Sequence, residues 1–110
     1  MMDNDKFELI LDRLLQRTEE GKIEWETTAD VNTYLLVLKN SAVSMSYLPD
    51  HHCYIFQFRN ENGDVIESQN VHSGTTLLQA GKIFGLATEG LQKVENANKF
   101  VDGILEQLAA

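Results

Sequence analysis

Near the start of the chain, Phe7, Ile10, Leu11, Leu14 and Leu15 recur at the spacing of a single helical stripe. The spacing predicts a helix over Asp5–Glu20. Asn4 suits its cap, Asp5 and Glu8 favour its first turn, and Gly21 fits the left-handed position just past its end. The period then drops to two. Ile23, Trp25 and Thr27 alternate with Lys22, Glu24 and Glu26, which predicts a strand with one wet face. On that reading Glu24 and Glu26 are solvated neighbours, not a pair of catalytic carboxylates.

Four further strands are expected. Asn32–Leu38 is apolar on both faces, and Ser41–Leu48 alternates Val43, Met45 and Tyr47 with Ser44 and Ser46. Pro49, Asp50, His51 and His52 interrupt the pattern before Cys53–Arg59, which sets Tyr54, Phe56 and Phe58 on one side. Asn62-Gly63 marks a hairpin, because both residues accept a positive φ, and the more polar Asp64–Val71 reads as an edge. Strands joined this closely form an antiparallel meander. From Thr75 onward the chain is helical, with Leu77, Ala80, Phe84, Ala87 and Leu91 in one stripe. A second stripe of Val94, Ala97, Val101, Ile104, Leu105 and Leu108 is turned from the first by about a quarter turn at about 100° per residue. Gly85, Gly90 and a capping Thr88 place a break or bend near Ala87–Gly90.

The expected fold class is therefore α+β in one domain over residues 1–110. It has an N-terminal helix, a four- to five-stranded antiparallel meander and a C-terminal helical segment. If the helices share one sheet face, the other is partly bare. That face carries Leu35, Val37, Cys53 and Ile55 among Ser44, Ser46 and Gln57, and such a face is suited to a homodimer or partner interface.

Charge narrows the choice of partner. The chain of 110 residues carries 9 basic and 17 acidic side chains, a formal net of -8. The basic residues are scattered with no two adjacent, so neither nucleic acid nor an anionic membrane surface is an expected partner. The run Glu19, Glu20, Glu24, Glu26 and Asp30 would suit a basic protein partner. No stretch approaches the about 20 apolar residues of a membrane span, the N-terminus lacks an apolar signal core, and Cys53 is the sole cysteine. A cytoplasmic setting is the expectation.

Candidate chemistry is sparse. His51, His52 and His72, with Asp50, would meet at one end of a meander, and imidazole and carboxylate are zinc ligands. Against that, adjacent histidines on extended chain point apart, and His72 lies two strands away. Cys53 among Tyr54 and Ile55 reads as a small buried hydrophobe rather than a nucleophile. Ser73-Gly74-Thr75-Thr76 opens a helix but lacks the lysine of a phosphate loop. No catalytic residue and no cofactor is expected.

The helix, the junction Thr18-Glu19-Glu20-Gly21-Lys22-Ile23-Glu24-Trp25, the meander and the C-terminal helix together resemble a set of small bacterial proteins, some from mobile elements, with no settled function. The shared Thr-x-x-Gly-x-Ile-x-Trp junction marks a fold and implies no catalytic or binding residue. Size and acidity also resemble type III secretion chaperones and small toxin-immunity proteins, although those chaperones set a helix between their strands and none is expected between Ile23 and Val71. The functional expectation is a non-enzymatic interaction module of adaptor, immunity or chaperone type. It would bury the outer sheet face or the C-terminal helix (Val94, Val101, Ile104, Leu105, Leu108) against a partner or a second copy, with Glu24 and Glu26 in the acidic rim. The alternative is a small-ligand or metal-binding domain at the His51, His52 and His72 end.

Overall fold

The computed structural model describes residues 3–109, the side chains of 91–99 excepted. The chain runs α1 (Asn4–Glu19), β1 (Glu26–Thr27), β2 (Thr33–Val37), β3 (Ser41–Leu48), a 3-10 turn (Pro49–His51), β4 (Cys53–Asn60), β5 (Val65–Val71) and α2 (Gly74–Ala109). The strands pair antiparallel in the order β1-β2-β3-β4-β5. This is the α+β fold expected: N-terminal helix, five-stranded meander, C-terminal helix.

Local chemistry explains the boundaries. The cap of α1 is Asp3, one residue before the expected Asn4, since the Asp3 carboxylate accepts the Lys6 N–H at 2.8 Å. At the other end Lys22 N–H reaches Arg17 O (2.9 Å) and Gly21 N–H reaches Thr18 O (3.1 Å). That pair of bonds closes a helix on a left-handed residue, and Gly21 sits at φ 70°. The first strand is shorter than its alternation predicts. Only Glu26↔Leu35 and Thr27↔Tyr34 join the ladder, because the chain leaving Gly21 must first cross from the helix end to the sheet. The alternation still governs facing: Trp25 is buried, while Glu24 and Glu26 are exposed. The Trp25 indole N–H donates to Thr18 Oγ1 (3.1 Å), whose own hydroxyl donates to Leu14 O (2.6 Å). The tryptophan thus clamps the end of α1 to the sheet. In the β4–β5 hairpin, Asn60 Oδ1 accepts the N–H groups of Asn62 and Asp64 at 3.0 Å each, with Gly63 at φ 86°.

Both helices pack on one face of the sheet. Phe7, Leu11 and Leu14 of α1 and Ala80, Ile83 and Ala87 of α2 enclose Leu36, Val43, Met45, Phe56 and Val71. Phe7 meets Phe56 edge-on at 5.8 Å between centroids, the geometry aromatic quadrupoles favour. Phe84 gathers Tyr34, Tyr47 and Tyr54 around it, with ring centroids 4.9–5.8 Å away. Burial, and secondarily the neighbouring Tyr47, raise the pKa of Tyr54 above the ordinary tyrosine value. A folded-state pKa above the unfolded one contributes stability that is complete below about pH 10 and is lost as pH rises through the folded value. Spectrophotometric titration is expected to show a late alkaline phase that Tyr54→Phe removes. A variant with an unchanged titration curve would contradict this placement of the ring.

The second helix is continuous over 36 residues, through Gly85 and Gly90. Thr88 starts no new helix there. Its hydroxyl donates to Phe84 O, four residues back, at 2.9 Å and lies 2.8 Å from Tyr34 Oη. With the Thr88 proton committed to Phe84, Tyr34 is the donor, and the pair ties α2 to β2 close to where a break was expected.

Candidate functional site

The chief candidate surface is the far end of α2. A 36-residue helix is about 54 Å long at 1.5 Å per residue, and it sets the 59 Å long axis of a molecule only 30 and 28 Å across. Its first half is held by the sheet and α1, where Ala80, Ile83 and Ala87 are buried. Its last turns are different. Phe100, Val101, Ile104, Leu105 and Leu108 are all exposed, from 42% at Ile104 to 77% at Leu108. Four of these belong to the second stripe read from the sequence. Val94 falls among the side chains outside the described residues. Phe100 escaped the sequence reading because it flanks that stripe instead of lying on its centre line, and only the exposure of the whole turn adds it.

The second candidate is the sheet face opposite the helices. Register places Leu35, Ser44, Gln57 and Ser68 in one row across β2–β5, and Thr33, Ser46, Ile55 and Asn70 in the next. Thr33 and Ser46 share a hydroxyl–hydroxyl bond of 2.8 Å. Val37 and Ile66 are exposed, while Leu35, Ser46, Ile55 and Gln57 are half-buried by their neighbours in the sheet. Among the described residues no helix covers this face. Of the residues read onto it, Ser44 and Cys53 are buried and so present little to a partner. The Cys53 thiol lies 3.7 Å from Tyr54 O, the environment of a packing residue.

The acidic rim divides into parts with different roles. Glu24 and Glu26 are exposed and line a cavity of about 530 Å³ with Trp25, Leu86 and Gly90, beside the point where α2 leaves the body. Glu20 pairs with Lys22 at 2.9 Å, and the hydrogen bond from Lys22 lowers its carboxyl pKa. Asp30 is engaged in the β1–β2 turn, where its Oδ1 accepts the Asn32 N–H at 2.9 Å. The free negative charge facing that cavity therefore comes from Glu24 and Glu26.

The histidines do not gather into a cluster among the described residues. His51 closes the 3-10 turn, His52 takes a left-handed conformation at φ 48°, and His72 follows β5. The ladder does bring these segments to the same end of the sheet, since Tyr54 pairs with Val71. Even so, no three histidine, cysteine, aspartate or glutamate side chains among the described residues are placed to hold a metal ion. His72 lines a cavity with Asn4, Glu8, Asn70 and Thr76, a lining that does not include Asp50, His51 or His52. At the start of α2, Thr76 Oγ1 donates to Ser73 O at 3.1 Å, a local turn contact.

Sequence reasoning missed one further feature. A cavity of about 380 Å³ opens between α1, the segment after it and the β2–β3 turn, and Arg13, Arg17 and Arg59 all line it. Spacing along the chain gives no sign of this, because Arg59 reaches the cavity only through the folding of β4 against α1. No helix among the described residues is long and apolar enough to cross a membrane. No protein-family model matches the chain, and no curated protein or solved structure matches it.

Proposed function

We propose that the protein is a non-enzymatic interaction module that works as a dimer, joined through the ends of its two α2 helices. The observation that carries this reading is the row of five large apolar side chains exposed on the last turns of α2. Surface patches of that kind mark association sites. Helices in water draw most of their stability from packing an apolar face, and this stretch includes weak helix formers at Asn96, Asn98 and Gly103.

A second copy of the chain fits the stripe electrostatically. Two molecules of net charge -8 repel, so a self-interface must keep acids off its seam. At about 100° per residue, Asp102 and Glu106 both lie more than a quarter turn from the centre of the stripe. The open sheet face and the Glu24 and Glu26 rim stay free in such a dimer. They would serve a basic protein partner, with salt-sensitive association, in keeping with an adaptor, immunity or chaperone role in a reducing, cytoplasmic setting. The junction behind the resemblance to small bacterial α+β proteins contributes to folding, not to this surface.

Hydrogen exchange tests the reading. Amides of residues 100–109 are expected to be protected at high protein concentration and to lose that protection on dilution, while those of β3 and β4 stay protected throughout. Exchange at residues 100–109 that is fast and independent of concentration would overturn the proposal.

A further inference from the structure

The cavity that Arg13, Arg17 and Arg59 line joins an apolar wall to basic side chains. Leu14, Leu36 and Val43 are buried residues of its lining, Ile10 and Phe58 are half-buried, and Leu38 stands exposed. Its volume, about 380 Å³, falls within the range of about 300–1,000 Å³ common for small-molecule sites. Ser41 is the one uncharged polar residue lining it. A peptide or sugar would bring donors and acceptors that this wall leaves unsatisfied, whereas a hydrocarbon chain brings none.

The charges around the cavity run against the rest of the molecule. The chain has three arginines in all, every one of them lines this cavity, and no acidic residue does. Arg59 contributes less of that charge, because its guanidinium donates to Gly63 O and to Gln57 Oε1, on the sheet face opposite the helices, at 3.0 Å each. Arg13 and Arg17 stand one turn apart on α1, both exposed. Lys39 adds charge in the turn between Leu38 and Ser41. A guanidinium presents a planar fork that matches a carboxylate. The geometry points to a binding site for a fatty-acid-type ligand, with its alkyl chain on the apolar wall and its carboxylate at Arg13 and Arg17. This inference goes beyond the interaction reading and stands independently of it, since none of these residues lies on the exposed end of α2.

The test is an NMR titration with decanoate, kept below its micellar concentration, against decyltrimethylammonium as the cationic amphiphile of equal chain length. Decanoate is expected to bind saturably with shifts at Ile10, Leu14 and Phe58, and to bind about tenfold or more tightly than the cation, as loss of charge-assisted bonds implies. The double variant Arg13→Gln/Arg17→Gln replaces exposed side chains. It is expected to keep the melting temperature and lose about tenfold in decanoate affinity. The proposal is overturned by the absence of saturable shifts, by equal binding of the cation, by shifts centred on Phe100–Leu108, or by unchanged affinity in the double variant.

Discussion

Replacing Ile104 and Leu108 together with glutamine is expected to turn a dimer into a monomer without unfolding it. Both side chains are largely exposed in the single chain, at 42% and 77%, so their loss removes little from the monomer core. At a helix–helix seam each would be buried, and a fully buried Leu or Ile contributes about 1.5–3 kcal/mol. The symmetry of a dimer counts each change twice. Since about 1.4 kcal/mol is a factor of ten in Kd, dissociation should strengthen by several orders of magnitude. Sedimentation equilibrium of the variant at concentrations where the native protein is dimeric would show this. Circular dichroism and the melting of the sheet core would verify that the body is intact. A variant that stays dimeric removes α2 as the interface.

The largest effect on stability is expected at Phe56. It is fully buried, at 0% exposure, and sits on β4 with Met45 opposite it on β3 and Phe7 against its ring. Phe56→Ala opens a cavity where the helical layer meets the sheet and should cost about 3–5 kcal/mol. Domains of this size have only about 5–15 kcal/mol in total, so the variant would be near its folding limit. Urea denaturation gives the figure directly. A loss under about 1 kcal/mol would mean that Phe56 is not at the centre of the core.

The helices and strands were legible in the sequence because their hydrophobic periods are clean. Phe7, Leu11 and Leu14 recur at helical spacing and are buried. The expected strand Ser41–Leu48 is β3 to the residue, because Ser44 and Ser46 alternate with Val43, Met45 and Tyr47. Two features were not legible in the pattern. The shortness of β1 and the continuity of α2 both depend on side-chain contacts that hydrophobic period does not encode: Trp25 with Thr18 across the helix end, seven residues apart, and Tyr34 with Thr88 across the fold. Gly85, Gly90 and Thr88 carry a local break signal, and in the structure tertiary packing overrides it. Ile83, fully buried, went unread because it sits beside Phe84 on the edge of the stripe.

The candidate surfaces follow the same division. The apolar stripe from Val101 to Leu108 is a local pattern and could be read as helical and one-sided. That it projects beyond the sheet follows only from where Ala80, Ile83 and Ala87 dock. The arginine-lined cavity is wholly tertiary, joining positions 13, 17 and 59. The histidines show the converse. Residues that topology places at one end of a sheet need not converge: His72 lines a cavity with Asn4 and Glu8 of α1, while His51 and His52 lie in the β3–β4 turn.

The most direct test of the central claim is the mass of the unmodified protein by light scattering over a range of micromolar concentrations. The account predicts a species of twice the 12.4 kDa chain mass, retained at high salt because the seam is apolar and dissociating only on dilution. A mass of one chain at every concentration would contradict it.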